Sequence, residues 1–241
     1  MKIALIGYGK MGHELERIAL ERGHEIILRV DEQSFSSDDL AKLKQADAAL
    51  EFSVPAAAYK NITTCLETGV PVVSGTTGWT EKMEEVKMEC RNKNGAFFYA
   101  PNFSIGVNIF FELNRKLAEL MSGQKEYKPS VSETHHVHKK DKPSGTAIKL
   151  AEDILRSTPN KKNWTLTGDN PKTSDDMLTI SAERIDEVAG FHQVKYVSDT
   201  DEISISHNAF SRKGFALGAV LAAEWLKGKK GVYGMSDLLK Q

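Results

Sequence analysis

The side chains best suited to acid–base chemistry lie together in one short segment near the middle of the sequence. Six basic residues fall between positions 135 and 142: His135, His136, His138, Lys139, Lys140 and Lys142. Histidine exchanges a proton near neutral pH, and a lysine ammonium group can polarise an anionic substrate or protonate it. The segment therefore predicts a site that binds an anion and transfers a proton.

Three histidines within four residues are also typical of metal sites. A strand is predicted over Lys128–His138, and neighbouring side chains on a strand point to opposite faces, so His135 and His136 would not both reach one ion. No cysteine or carboxylate cluster completes a known zinc spacing, and the crowded lysines would repel a cation. We therefore expect no metal, while a solvated basic loop stays open as an alternative to an anion site.

The residues that follow are suited to holding the anion itself. A helix is predicted over Thr146–Arg156, and Ser144, Gly145 and Thr146 lie at its N-terminus. Backbone N–H groups and the helix dipole attract negative charge at this end of a helix. We expect these three residues to bind a carboxylate group.

Proton transfer to such a ligand would come from the basic segment. Lys139 and His136 would add positive charge on the opposite side of a bound dicarboxylate, and His135 or Lys139 would then deliver the proton. The residue types alone do not decide between the two donors.

A glycine-rich motif near the N-terminus predicts a dinucleotide cofactor. Residues Gly7, Tyr8, Gly9, Lys10, Met11 and Gly12 match the pattern G-x-G-x-x-G. A predicted strand, Lys2–Ile6, precedes the motif and a predicted helix, Lys10–Arg22, follows it, which is the context in which these glycines bind a pyrophosphate. A plain turn between strand and helix is the alternative.

A second strand is predicted over Glu25–Val30, and Asp31 follows it directly. Asp31 lies 19 residues after Gly12, and it is the acid that should bind the ribose. Asp31 and Glu32 place negative charge where the 2′-phosphate of NADP would lie, which favours NADH over NADPH. Arg29 either reaches that phosphate or is a charge at the edge of the sheet.

Two further strand ends are candidates for cofactor contacts. Gly75, Thr76 and Thr77 follow one predicted strand, and Ala100, Pro101, Asn102 and Phe103 follow another. Ligands of open α/β sheets bind at the carboxyl ends of the strands, although both segments could be ordinary turns.

Strand and helix patterns alternate over the first hundred residues and then change. The alternation predicts a Rossmann-type, doubly wound parallel sheet. After it, strands at Met177–Arg184, Gly190–Val197 and Glu202–Ala209 predict a second, α+β domain with a mixed or antiparallel sheet, and the polar stretch Lys161–Asp176, with Gly168 and Pro171, is predicted as a surface excursion. The apolar helix Phe215–Leu226 should pack back on the first domain, which gives a nucleotide domain of residues 1–104 with 214–241 and a substrate domain of residues 105–213.

Composition limits the classes of partner. The 241 residues carry a net charge of −1, which gives no general attraction to nucleic acid or to an anionic membrane surface. Two cysteines are too few for a disulfide framework, and no apolar run is long enough to span a membrane. We expect a cytoplasmic protein that acts on a small molecule.

The segment Glu133–Ala147 reads ETHHVHKKDKPSGTA and closely resembles the dihydrodipicolinate reductase signature E-(A/T)-H-H-x-x-K-x-D-x-P-S-G-T-A. The glycine motif, Ser74–Gly78, Ala100–Asn108 and the run Ser206–Arg212 follow the order of that family, so the resemblance covers nearly the whole chain.

This resemblance implies an NADH- or NADPH-dependent reduction of 4-hydroxy-tetrahydrodipicolinate to tetrahydrodipicolinate, in diaminopimelate and lysine biosynthesis. It implies that His135 is the proton donor or acceptor, that Lys139 is the proton donor, and that His136, Gly145 and Thr146 contact the substrate. It also implies nucleotide contacts from Gly7–Gly12, Asp31, Gly75–Thr77 and Ala100–Phe103, and a homotetramer assembled through the sheet of the second domain.

The chain departs from the family near its second histidine motif. Relatives often read R-x-G-x-x-x-G-E-H where this chain has Asp186 in place of a glycine and Phe191 in place of an acid, so local turn geometry should differ. A non-catalytic NAD(P)-sensing protein and a dehydrogenase acting on another small acid are the alternative functions.

Overall fold

The chain forms two units in the computed structural model, which describes residues 1–31, 35–167, 174–211 and 213–240. One unit comprises Met1–Ile105 and Lys213–Gln241, and the other comprises Gly106–Arg212. Among the described residues, no helix combines the length and the apolar character that crossing a membrane requires.

The strands, in chain order, are β1 (Lys2–Ile6), β2 (Glu25–Val30), β3 (Ala48–Glu51), β4 (Val72–Ser74), β5 (Ala96–Tyr99), β6 (Lys128–His135), β7 (Asn163–Leu166), β8 (Met177–Arg184), β9 (Gly190–Val197), β10 (Glu202–Ala209) and β11 (Gly231–Tyr233). The α-helices are α1 (Lys10–Glu21), α2 (Ser37–Leu43), α3 (Pro55–Glu67), α4 (Met83–Asn92), α5 (Ile105–Met121), α6 (Gly145–Ser157), α7 (Lys213–Leu226) and α8 (Met235–Leu239).

The first unit is built on a parallel six-stranded sheet in the order β11-β5-β4-β3-β1-β2. Side chains alternate between its two faces, so Ile3 and Leu5 pack with α1 and α7 while Ala4 and Ile6 pack with α2, α3 and α4. Because helices cover both faces, most strand residues are apolar, which is why short apolar runs marked the strands in the sequence. The predicted doubly wound parallel sheet is confirmed.

The second unit is built on a mixed five-stranded sheet in the order β10-β9-β6-β8-β7. The strand β6 runs parallel to β8 and antiparallel to β9. One face of this sheet packs on α5 and α6, where Val131, Ile180 and Val194 meet Leu150 and Ile154. The predicted α+β architecture with a mixed sheet is also confirmed.

Two local predictions differ from the structure, and one short strand was not predicted. The strand β6 ends at His135 rather than at His138, because the chain then turns and the Lys139 N–H bonds to the His136 carbonyl. The strand β7 forms within the stretch predicted as a surface excursion, in which Gly168 and Pro171 lie outside the described residues. The three-residue strand β11 is too short to show a pattern of its own, and it adds to the sheet by pairing with β5.

Candidate active site

The glycine motif forms the turn between β1 and α1. Gly7 has a φ of +89°, and a Cβ atom there would lie 2.2 Å from the Phe52 carbonyl oxygen. A Cβ atom on Gly12 would lie 2.5 Å from the Gly7 carbonyl oxygen, whereas one on Gly9 would meet nothing within 4 Å. Gly7 and Gly12 are therefore required by close packing, and Gly9 leaves open space above the turn.

The start of α1 is suited to a phosphate group. Gly9 is the N-cap residue and supplies no side-chain hydrogen bond, and the first turn contains no acidic residue. The first N–H groups of a helix have no intrahelical partner, and the helix dipole makes this end positive. The turn thus combines free space with backbone donors, an arrangement that fits the pyrophosphate of a dinucleotide.

A cavity of about 310 Å³ opens beside this turn within the first unit. Its lining includes seven of the residues predicted to bind the cofactor: Met11, Gly75, Thr76, Thr77, Pro101, Asn102 and Phe103. Sequence reasoning missed four others, which are Phe52, Ser53, Pro55 and Phe215. The remaining predicted cofactor residues, Gly7, Tyr8, Gly9, Lys10, Gly12, Asp31 and Ala100, do not line it.

A buried carboxylate lies beneath the cavity wall. Glu51 is fully buried at the end of β3, where its carboxylate accepts hydrogen bonds from the hydroxyl groups of Ser53, Ser74 and Thr76. The Thr76 hydroxyl also accepts a hydrogen bond from the Ser53 N–H, at 2.9 Å. Glu51 therefore fixes the relative positions of two strand ends that carry cavity residues.

The acidic end of β2 is described up to Asp31, which is exposed, whereas Glu32 lies outside the described residues. Arg29 pairs with Glu16 on α1, and the Tyr8 hydroxyl donates a hydrogen bond to the same carboxylate. Hydrogen bonding from Arg29 and Tyr8 lowers the pKa of Glu16 to about 2. The Glu16 carboxylate therefore holds the side chain of Arg29 within the first unit.

The predicted anion site of the second unit lies at the N-terminus of α6. Ser144 is the N-cap residue, and its hydroxyl accepts a hydrogen bond from the Ala147 N–H. Helix geometry leaves the N–H groups of Gly145 and Thr146 without an intrahelical acceptor. Gly145 is exposed, so these donors are accessible to a ligand.

The buried carboxylate of Glu133 anchors this helix start. Its two oxygens lie 3.0 and 3.1 Å from the Ser144 nitrogen and accept that N–H, and one oxygen lies 3.1 Å from an Arg184 guanidinium nitrogen. Although burial acts to raise the pKa of Glu133, hydrogen bonds from His192, Ser144 and Arg184 outweigh it and lower the value to about 2. Glu133 is therefore a carboxylate at neutral pH, and it ties β6 to α6.

His135 follows Glu133 on the same face of β6, and His192 reaches both from β9. The sheet register places His192 directly opposite Glu133. The Nδ1 atom of His135 lies 3.2 Å from the Ala189 carbonyl oxygen, which places its proton on that nitrogen, and its Nε2 atom lies 3.3 Å from Nε2 of His192. His192 must then donate through Nε2, which also lies 3.1 Å from the Ser144 hydroxyl.

The burial of the His135 side chain determines its charge. This side chain is 11% exposed, and burial, together with the neighbouring His192 and Lys139, lowers the pKa of His135 to about 4. The nearby Glu133 carboxylate opposes this shift but does not cancel it. His135 is consequently a neutral imidazole near pH 7.

The cationic residues of the segment lie beyond the end of β6. Lys139 is about one-fifth exposed and forms an ion pair with Asp141 at 2.8 Å, while Lys140 is fully exposed. His136 is half-buried, and its Nδ1 atom is buried without a hydrogen-bond partner among the described residues. The segment is anchored to the turn after β8, where the carbonyl of Asp186, at φ +40°, accepts the Val137 N–H.

Glu133, His135 and His192 also have the spacing of metal ligands, since their side-chain ligand atoms all lie within 4.8 Å of one another. A metal-bound histidine normally donates its second ring N–H to a carbonyl or carboxylate group. The Nδ1 atom of His192 is buried and has no partner among the described residues. Hydrogen bonds among these side chains account for the cluster, and the absence of a metal stays a prediction.

Sequence reasoning missed the supporting residues Glu133, Arg184 and His192 as members of this site. Glu133 and His135 are two positions apart on a predicted strand, which places them on one face and was a usable signal. His192 and Arg184 follow 48 or more residues later in the sequence, and only the pairing of β6 with β8 and β9 brings them to that face.

The comparisons with known proteins cover the whole chain. The family model described as "Dihydrodipicolinate reductase, N-terminus" matches residues 1–103, and the one described as "Dihydrodipicolinate reductase, C-terminus" matches residues 106–239. A 4-hydroxy-tetrahydrodipicolinate reductase of Christiangramia forsetii is 48% identical over 239 residues, covering 99% of this chain and 98% of the relative. One of Archaeoglobus fulgidus is 33% identical over 265 residues, covering 100% of each chain.

A solved structure agrees with the fold. The dipicolinate-bound dihydrodipicolinate reductase from Paenisporosarcina sp. TG-14 superposes with a TM-score of 0.77 at 23% identity, covering 98% of each chain. At this level of identity the likeness concerns the fold, and it supports the division into a parallel sheet and a mixed sheet.

Proposed function

The chain belongs to the dihydrodipicolinate reductase family, and we propose that it catalyses the reaction for which its curated relatives are named, the reduction of 4-hydroxy-tetrahydrodipicolinate. It is a nicotinamide-dependent oxidoreductase. The product would be tetrahydrodipicolinate, an intermediate of diaminopimelate and lysine biosynthesis, and the 4-hydroxyl group of the substrate would leave as water. The observation that carries the proposal is the helix start at Ser144–Thr146, which is anchored on the buried Glu133 and lies beside a His/Lys segment.

The first unit would hold the cofactor. The N–H groups at the start of α1 would bind the pyrophosphate over Gly9, and Asp31 would accept hydrogen bonds from the ribose. The cavity with Gly75–Thr77 and Pro101–Phe103 would take the nicotinamide end, and Ala100 would position that last segment. When bound, the reduced cofactor supplies the hydride.

The second unit would hold the substrate. One carboxylate of the substrate would accept hydrogen bonds from the N–H groups of Gly145 and Thr146, and the other would lie near Lys139 and His136. We call the start of α6, Ser144–Thr146, the carboxylate clamp. Because the Ser144 hydroxyl already caps α6 and contacts His192, Ser144 would mainly hold this clamp in shape, in addition to any contact with the substrate. Two fixed carboxylates would hold the substrate ring in one orientation. Such orientation of one reactant towards the other accounts for a large part of the rate acceleration of bimolecular reactions.

The proton would come from Lys139. A neutral His135, with its pKa lowered to about 4, is a poor acid at neutral pH, whereas the Lys139 ammonium group carries a transferable proton. His135 would act as an uncharged hydrogen-bonding partner that accepts or passes a proton without repelling the cationic residues around it.

We favour NADH as the reductant, because Asp31 is exposed at the end of β2 and Arg29 is paired with Glu16. The carboxylate of Asp31 would accept both ribose hydroxyl groups of NADH and repel the 2′-phosphate of NADPH. Use of NADPH at lower efficiency is compatible with this arrangement.

A homotetramer would form through the sheet of the second unit. The edge strand β10 is largely exposed. Ile203 within it exposes 39% of its surface, and Phe210, directly after its last residue, exposes 91%. Exposed apolar side chains along a strand edge are typical of a surface that another chain covers. Light scattering of the purified protein should give four times the mass of one chain.

A reducing, cytoplasmic environment would suit the two cysteines. Cys65 and Cys90 are both free and buried, and thiols in such positions persist where glutathione and thioredoxin keep them reduced. Burial raises the pKa of each thiol, so neither is activated for chemistry.

The function is tested by mixing the purified chain and NADH with substrate generated in place by the condensing enzyme that precedes it. We expect rapid oxidation of NADH that dipicolinate, a planar dicarboxylate, inhibits. A chain that binds NADH but never oxidises it would be a sensor. Faster oxidation with a different small acid would indicate another dehydrogenase, and either result would overturn the proposal.

A further inference from the structure

A cation lies on the strand that ends at the predicted ribose-binding acid. Arg29 precedes Asp31 by two positions, so both side chains extend from the same face of the chain as it leaves β2, roughly 7 Å apart along the strand. An arginine so placed is an obvious partner for the 2′-phosphate of NADPH, because its planar guanidinium group binds phosphate through two parallel hydrogen bonds.

That guanidinium group is already engaged by Glu16. The Nε atom of Arg29 lies 3.2 Å from one carboxylate oxygen of Glu16, and a terminal nitrogen contacts the other oxygen, so the two groups form a bidentate ion pair along one edge of the guanidinium group. The Tyr8 hydroxyl donates to the same carboxylate, and the Arg29 guanidinium carbon lies 5.8 Å from the centroid of the Tyr8 ring. The Glu16 side chain is only 15% exposed, compared with 42% for Arg29.

Two residues of different elements, Tyr8 and Glu16, thus hold Arg29 in one position. Tyr8 belongs to the glycine turn and Glu16 to α1, so the ion pair joins the cofactor turn to β2. Because Arg29 and Tyr8 lower the pKa of Glu16 to about 2, the carboxylate stays charged at every pH at which an enzyme of this kind would be assayed. A phosphate at Arg29 would have to share the guanidinium group with the Glu16 carboxylate, whose negative charge opposes it.

We propose that Glu16 is a specificity-determining residue, which withholds Arg29 from the 2′-phosphate of NADPH and so directs the enzyme to NADH. The inference rests on the proposed function, in that it concerns the cofactor of the same reaction. It assigns to a helix residue outside the glycine motif a role that the motif itself does not predict.

The test is the substitution Glu16→Gln, which keeps the size of the side chain and an oxygen for Tyr8 but removes the charge. We expect the ratio of kcat/KM for NADPH to kcat/KM for NADH to rise about tenfold or more, through a lower KM for NADPH, since one charge-assisted phosphate contact is of that magnitude. Adding Arg29→Ala to Glu16→Gln should return the ratio to within about threefold of the original value.

The matched control is Glu14→Gln. Glu14 lies on the same helix and pairs with Arg17 in the same manner, so its loss removes an equal charge without releasing Arg29. A ratio that is unchanged in Glu16→Gln, or that rises equally in Glu14→Gln, would overturn the inference. Should Glu16→Gln fold poorly, Glu16→Ala provides a second variant with the same expected direction.

The two proposals fail in different ways. If the unmodified protein oxidises neither cofactor with the substrate, the proposed function is wrong, and cofactor selectivity is then measured as Kd by quenching of protein fluorescence. A Kd for NADPH that falls about tenfold in Glu16→Gln would still support the role of Glu16, and an unchanged Kd would contradict it.

Discussion

The Nε2 atoms of His135 and His192 lie 3.3 Å apart, within a cluster that also contains the buried carboxylate of Glu133. The proton of His135 is on Nδ1, where the Ala189 carbonyl accepts it, so the one Nε2 proton of His192 is shared between Nε2 of His135 and the Glu133 carboxylate, which lies 3.5 Å away. His192 in turn contacts the Ser144 hydroxyl at the start of α6. One residue of β9 therefore connects the proposed proton-transfer histidine with the proposed carboxylate clamp.

Replacing His192 should lower turnover without abolishing substrate binding. In His192→Ala, His135 loses its donor and can rotate, and misplacement of a reacting group by about 1 Å costs roughly 10²-fold in rate. We expect kcat to fall between about 10- and 100-fold, with partial recovery in His192→Gln, which retains an N–H donor. His138→Ala serves as the control, because His138 is largely exposed. Equal activity of His192→Ala and His138→Ala would contradict the positioning role.

Replacing Lys139 should affect catalysis far more than stability. Within the described part of the chain its side chain pairs with the exposed Asp141, and exposed ion pairs contribute about 1 kcal/mol or less. In Lys139→Ala we expect kcat to fall roughly 10²-fold or more, as for other general acids, with a higher KM for the substrate and nearly the same Tm. Lys140→Ala, one position further and fully exposed, should behave like the original protein. Unchanged turnover in Lys139→Ala would remove Lys139 from the mechanism.

Adding a methyl group at Gly145 should block the proposed clamp. A Cβ atom at Gly145 meets nothing within 4 Å, and alanine is favoured over glycine in a helix, so Gly145→Ala should fold at least as stably. The methyl group would occupy the space in which a carboxylate approaches the N–H groups, and we expect KM for the substrate to rise about tenfold or more. Gly123→Ala, also in open space, is the matched control. A normal KM in Gly145→Ala would place the carboxylate elsewhere.

The low pKa of His135 predicts a pH dependence of stability. In the unfolded chain this histidine takes up a proton below pH 6.5, whereas in the folded protein it remains neutral down to about pH 4. The unfolded state therefore binds more protons between these values, and the free energy of unfolding should increase as pH rises from 4 to 6.5. In His135→Gln the increase between pH 5 and 6.5, measured by urea denaturation, should be smaller. Identical pH dependence in both proteins would show that His135 titrates normally.

Much of the fold was predictable because local patterns decide it. The runs Lys2–Ile6 and Glu25–Val30 are apolar and end at Gly7 and Asp31, and both strands have the predicted bounds. The strand β7 was missed because it is a four-residue edge strand, which lies within a mostly polar stretch of the sequence. A pattern of buried positions is weak in such a strand, so the sequence carried little signal for it.

The site was predictable in its segments but not in its connections. The start of α6 is evident from Ser144 and Gly145, since serine is a favoured N-cap residue. The contact between His135 and His192 spans 57 positions in the sequence and depends on the register of β6 with β9, which no local pattern determines. The pairing of Arg29 with Glu16 depends in the same way on how α1 packs beside β2.

The most direct test of the central claim is the transfer of an isotope from cofactor to product. The purified chain is supplied with NADH that carries deuterium at the transferred position of the nicotinamide ring, together with 4-hydroxy-tetrahydrodipicolinate, and the product is analysed by mass spectrometry. We predict that tetrahydrodipicolinate forms with one deuterium per molecule, in step with the loss of NADH. Unlabelled product, or product formed no faster than in the absence of the protein, would contradict the assignment of this chain as a nicotinamide-dependent reductase of that substrate.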